Sequence, residues 1–140
     1  MFVVLDTNHF TELALGSSLG RRLSDRIETQ RADAFSCIVA AEESLQGWIA
    51  FVRRHHAGKE QVECYRRLQS CLQALANMTI LPFDREAADI FHDLQTRQRR
   101  VGTMDLKIAA ICIAHDATLL TRNVGDFDGI NGLRVENWLD

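Results

Sequence analysis

The chain has 140 residues, 46% hydrophobic and 25% charged, with 16 Lys and Arg against 19 Asp and Glu and a net charge of −3. That length supports one domain, residues 1–140, with a sizeable core, in an ordinary globular composition. No apolar run reaches bilayer length, and the N-terminus shows neither a basic region nor a small-residue cleavage site, so the expected setting is cytoplasmic with no membrane contact.

Residues 2–5 read as a first strand, and Asp6-Thr7-Asn8 follows it directly. A helix starts near Asn8, and a second helical stretch runs to about Gln30. Residues 34–38 suit a second strand. From Val39 to about His55 the apolar residues Ala41, Leu45, Trp48, Ile49 and Val52 recur at helical spacing. A helix from about residue 60 to 76 is expected to carry Tyr65, Leu68, Leu72 and Leu75 on one face. Thr79–Pro82 reads as a third strand. Asp84 caps a helix with the stripe Ala87, Ile90, Phe91 and Leu94. The polar segment Gln95–Gly102 reads as a mobile connection. Thr103 is expected to cap a helix from Met104 to about His115, apolar nearly all round and therefore buried. Ala117–Thr121 and Leu133–Glu136 complete the strands.

Strands alternating with helices point to βαβ units and a parallel sheet. Right-handed crossovers allow the order 3-2-1-4-5 if the fourth strand returns beside the first. The switch point then lies between strands 1 and 4, where open α/β sheets place their ligands. Asp6 leaves strand 1 there, and Asp126 follows strand 4 by a short loop. Asp105 stands in the first turn of the helix entering strand 4, and Glu43 one turn into the helix after strand 2. Taken singly, each acid has a plain structural role as a cap, a turn residue or a solvated charge. Gly47, four residues after Glu43, either leaves that carboxylate reachable or permits close helix packing. A mid-helix glycine costs about 1 kcal/mol relative to alanine, so one of these reasons is needed.

Four carboxylates in one cleft repel one another by several kcal/mol unless cations hold them; two unit charges about 4 Å apart cost roughly 4 kcal/mol at an effective dielectric of 20. Oxygen-only ligands favour Mg²⁺ or Mn²⁺ over zinc. Such metals activate water for in-line displacement at a phosphodiester. Asn8, Thr121 and Asn123 are candidates to support the acids or their waters. The net charge argues against a nucleic-acid partner only until four metal-bound acids are set aside, which moves the remainder from −3 to +1. Basic groups stand at Arg53-Arg54-His55-His56, at Arg66-Arg67, and at Arg97, Arg99 and Arg100; whether they share a face is a question for the fold. Cys37, Cys64, Cys71 and Cys112 show no Cys-x-x-Cys pairing and read as reduced thiols in or near the core.

The chain resembles the PIN-domain family, and within it the VapC-type toxin ribonucleases. The resemblance is carried by Val3–Asn8, Ile38–Trp48, Thr103–Ala110 with Leu119–Asn123 and Asp126-Phe127, and Gly132–Trp138. From about Ile49 to Gly102 it extends only to helical character. It implies a three-layer α/β/α fold, Mg²⁺- or Mn²⁺-dependent endoribonuclease activity on RNA, a homodimer, and a cognate antitoxin that blocks the acidic cleft. The family's acids carry over onto Asp6, Glu43, Asp105 and Asp126, and its polar positions onto Asn8, Thr121 and Asn123. Asp128 competes with Asp126, which is preferred because it precedes Phe127, and Glu42 competes with Glu43, which Gly47 favours. A phospho-receiver domain needs an acidic pair after strand 1 and a lysine after the last core strand, and a haloacid-dehalogenase-like phosphatase needs Asp-x-Asp; position 7 is Thr, position 8 is Asn, and strand 4 ends in Thr121-Arg122. The remaining alternative is a PIN-like module that binds RNA or protein without cutting.

Overall fold

The computed structural model describes residues 1–140. In chain order it has β1 (Phe2–Leu5), α1 (Thr7–Leu15), α2 (Ser18–Thr29), β2 (Asp33–Cys37), α3 (Ile38–Arg53), a 3-10 turn (Lys59–Gln61) and α4 (Val62–Ala76). There follow β3 (Ile80–Leu81), α5 (Arg85–Arg97), α6 (Thr103–Ala114), β4 (Thr118–Leu120), a second 3-10 turn (Val124–Phe127) and β5 (Arg134–Glu136). The five strands are all parallel, in the order β3-β2-β1-β4-β5. This is the expected order, one that right-handed crossovers permit once β4 returns beside β1.

β1 lies at the centre of the sheet, and Val3, Val4 and Leu5 are fully buried. Successive side chains of a strand point to opposite faces. Val4 and Leu119 accordingly join one core with Ala87 and Leu94 of α5 and most of α6, while Val3, Leu5 and Leu120 join another with Phe10, Leu23, Cys71 and Leu75. Helices therefore cover both faces, as a parallel sheet requires. All four cysteines are free and buried. No helix is long and apolar enough to cross a membrane.

Several local expectations need correction. β2 begins at Asp33 and ends at Cys37, so Ile38 opens α3. The Cys37 Sγ accepts from the backbone N–H of Ala40 at 3.5 Å and serves as the cap. On α4 the stripe that faces the core is Cys64, Leu68, Cys71 and Leu75, and Tyr65 and Leu72 are exposed. The expected stripe passed over cysteine, which behaves here as a small hydrophobe. α5 continues through Gln95 to Arg97, which shortens the polar connection. Asp84 does cap α5, accepting from the N–H of Ala87 at 3.0 Å. Gly102, not Thr103, occupies the cap position of α6 and makes no side-chain bond there.

The chain's two ends are clasped together. The Trp138 N–H donates to His9 Nε2 at 3.1 Å, and the Arg26 guanidinium lies 4.6 Å from the centre of the Trp138 ring. Arg122 makes a bidentate pair with Asp140, at 3.1 and 3.0 Å. An imidazole that accepts at Nε2 carries its proton on Nδ1, and that buried atom has no partner. Burial, and then the Arg122 charge, push the His9 pKa from its ordinary 6.5 down to about 4, with Asp140 opposing. The unfolded chain therefore binds a proton near pH 6.5 that the folded chain refuses until about pH 4. The stability carried by neutral His9 is complete above pH 6.5 and is lost as pH falls toward 4. Urea unfolding of wild type and His9→Gln across this window should show a shallower acid decline in the variant. Equal slopes would contradict the clasp's role.

Candidate active site

Asp6 directly follows β1 at the switch point between β1 and β4. Its N–H donates to Leu120 O at 3.0 Å, and its C=O accepts from the Phe10 N–H at 2.9 Å. The backbone of Asp6 thus joins β1, β4 and α1. Its carboxylate is equally constrained: Oδ1 accepts from the Thr7 N–H and Oδ2 from the Thr121 hydroxyl, each at 2.8 Å. Thr121 Oγ1 in turn accepts from the Asn123 N–H at 3.1 Å. This relay orders donors toward Asp6 from the end of β4, and Thr121 is fully buried. A carboxylate tied by two donors does not rotate freely, so its position is set before any ligand arrives.

Two of the other three acids sense its charge directly. Burial raises the Glu43 carboxyl above its ordinary range, and the charges of Asp6, Asp105 and Glu42 raise it further. Burial likewise raises Asp105, followed by the charges of Asp6 and Asp126. Asp6 is therefore the charge that Glu43 and Asp105 share, and Asp126 enters through Asp105. Glu42 is exposed and lines a separate groove with Ile38, Leu45 and Phe83. Asp126 lies in the second 3-10 turn, one residue before the buried Phe127 that anchors it, and Asp128 makes no such contribution to Asp105. Asn8 is exposed in the first turn of α1 and makes no hydrogen bond to the acids, and Asn123 contributes its backbone rather than its side chain.

The donor set is all oxygen, which fits a hard divalent cation rather than a soft one. Burial, opposed by hydrogen bonds from Ala40 and Val39, holds the nearby Cys37 thiol up at about 11, so it stays protonated at neutral pH. As folded without a cation, no three His, Cys, Asp or Glu side chains stand close enough together to enclose an ion.

A family model described as PIN domain matches residues 3–132. The chain belongs to the PIN-domain family. It is 48% identical over 139 residues to Ribonuclease VapC1 of Rickettsia felis, covering 96% of this chain and 95% of that protein. Among solved structures, VapBC2 from Rickettsia felis, bound to a DNA fragment from its promoter, aligns with a TM-score of 0.75 at 22% identity over 99% of both chains. DNA-bound VapBC from Salmonella typhimurium aligns with a TM-score of 0.75 at 19% identity, over 99% of this chain and 98% of that one. At those identities the structural likeness speaks for the fold.

Periodicity does not single out Ser44 or Phe51, and it reads Arg54 only as part of a basic run. All three line a cavity that also includes Glu43 and Gly47. Gly47 gives the one signal available in the sequence. A Cβ built there meets nothing within 4 Å, so close packing does not explain this glycine. Gly20 is the contrast, since its Cβ would stand 1.9 Å from Glu12 O.

The raised carboxyls have a consequence for stability. A folded-state acid pKa above its unfolded value means that the folded chain holds the proton more strongly, so ionisation with rising pH destabilises the fold. Above neutral pH, in EDTA, Asp105→Asn should melt a few degrees higher than wild type. An unchanged or lower melting temperature would remove the case for charge crowding.

Proposed function

We propose that the chain is a metal-dependent endoribonuclease, the toxin of a toxin–antitoxin pair, which hydrolyses RNA phosphodiesters on Asp6, Glu43, Asp105 and Asp126. The observation that carries this reading is the placement of Asp6 at the β1–β4 switch point, with Glu43 and Asp105 within reach of its charge and Asp126 within reach of Asp105. The near full-length relative at 48% identity is named a ribonuclease, and the aligned structures are VapBC toxin–antitoxin complexes, two of them with DNA. A cognate antitoxin and a homodimer fit the same reading, as does a cytoplasmic setting. Residues 1–140 act as one PIN domain, since one five-stranded sheet orders the elements that bear the four acids.

The four acids would hold Mg²⁺ or Mn²⁺. When bound, the ion supplies activation of water and charge neutralisation at the phosphate. The chain's own work is positional. Thr121 and the Thr7 N–H fix the Asp6 carboxylate so that its lone pairs face the cleft. Glu43 and Asp105 supply charge on half-buried side chains, where electrostatic interactions are stronger than in bulk water. Gly47 leaves Glu43 accessible from the side. Asn123 acts through Thr121, keeping the hydroxyl donor aimed at Asp6.

Purified protein should cut single-stranded RNA with Mg²⁺ or Mn²⁺ and stop with EDTA. Asp6→Asn retains the acceptor for Thr121, should fold, and should lose at least about 100-fold in rate. Thr121→Val should lose about 10–100-fold, the usual cost of removing a residue that orients a ligand. Equal cutting by wild type and Asp6→Asn would leave a binding module or a different site.

A further inference from the structure

α3 continues past Glu43 along the wall of a cavity of about 250 Å³, bounded by Thr7, Thr11, Ser44, Trp48, Phe51 and Arg54, with Gly47 between Glu43 and the aromatics. The Trp48 and Phe51 rings meet edge to face at 5.8 Å. The Arg54 guanidinium lies 5.5 Å from the centre of the Phe51 ring, and that of Arg67 lies 5.8 Å from Trp48. Two of the basic groups in the sequence, one on α3 and one on α4, thus converge on one aromatic pair. Ser44 is 4% exposed, and its Oγ has no hydrogen-bond partner in the chain. A buried hydroxyl without a partner carries a desolvation cost that a bound polar group relieves. The space over Gly47 is open, although the fold would be more stable with a side chain there.

We propose that this cavity is a nucleobase subsite that takes one unstacked base of a single-stranded RNA beside the phosphate on the acids; the inference rests on the nuclease reading above. Proteins read single-stranded RNA by stacking splayed bases on aromatic rings or guanidinium planes and by hydrogen-bonding the base edges. Trp48, Phe51 and Arg54 provide the stacking surface, and Thr7, Thr11 and Ser44 provide hydroxyls for an edge. The volume falls below the roughly 300–1,000 Å³ of drug-sized sites, which suits one ring system and not a folded element. The cavity shares Glu43 with the acid cluster, so a base here and a phosphate there belong to neighbouring positions on one strand.

The test uses the full-length protein with Mn²⁺ and short single-stranded RNAs varied one base at a time around the cut. Gly47→Leu puts a side chain into the cavity from a position where a Cβ meets nothing within 4 Å, and Phe51→Ala removes a stacking surface. Each should raise KM about tenfold, equivalent to about 1.4 kcal/mol, and flatten the base preference, and in Phe51→Ala, which lies away from the acids, the Mn²⁺-induced thermal shift should persist. Unchanged KM and base preference, with Asp6→Asn inactive, would overturn the subsite and leave the nuclease reading standing. Full activity in Asp6→Asn would overturn both. Loss in Gly47→Leu of binding to the purified antitoxin alone, with RNA kinetics unchanged, would assign the cavity to a protein side chain and overturn the subsite.

Discussion

The hydrogen bond from the Thr121 hydroxyl to Asp6 Oδ2 joins residues 115 positions apart in the chain. It forms only because β4 returns to lie beside β1, in register Val3 with Thr118 through Leu5 with Leu120. The rest of the site depends on this pairing. It sets the Asp6 carboxylate at the carboxyl end of the central strand, brings Asp126 in through the following turn, and lets the apolar α6 present Asp105 from its first turn. Parallel pairing buried on both faces keeps that geometry rigid, because a shift of one residue would turn the alternating core side chains to the wrong layer.

Grouping carboxylates in this way works against folding. Glu43 and Asp105 are both pushed above their ordinary range by burial and by neighbouring charge. A protein that is only marginally stable retains such a cluster where function requires it and offsets the cost elsewhere. Here the offset lies in the two buried cores and in the clasp between the chain ends, where Trp138 and Leu139 are each 4% exposed. The clasp also closes over α1, the helix that begins at Asp6. One architecture therefore half-buries Glu43 and Asp105 within reach of the Asp6 charge.

Much of this was legible in the sequence, for identifiable reasons. Alternating strands and helices with right-handed crossovers narrow the strand order to a few choices, and the placement of Asp6 follows from the one in which β4 lies beside β1. Glu43 was preferred over Glu42 because Gly47 lies one turn away, and the open space at Gly47 supplies the physical sense of that choice. The failures are as specific. The α4 stripe was misread because Cys64 and Cys71 bury as apolar residues. The His9–Trp138 bond joins residues that no local period relates. The start of α6 has a glycine cap with no side-chain signature, and the unpartnered Ser44 hydroxyl becomes visible only when its surroundings are known. Asn8 and Asn123 illustrate a further limit: residue type marked both, but only the fold distinguishes an exposed amide from a backbone donor.

The central claim is that the four acids form one cation site organised by Asp6. Calorimetric titration of Mn²⁺ into the RNA-free protein addresses it without reference to catalysis. Wild type and Asp128→Asn should bind Mn²⁺ alike, while Asp6→Asn binds at least tenfold more weakly. Equal Mn²⁺ affinity in wild type and Asp6→Asn would contradict the account.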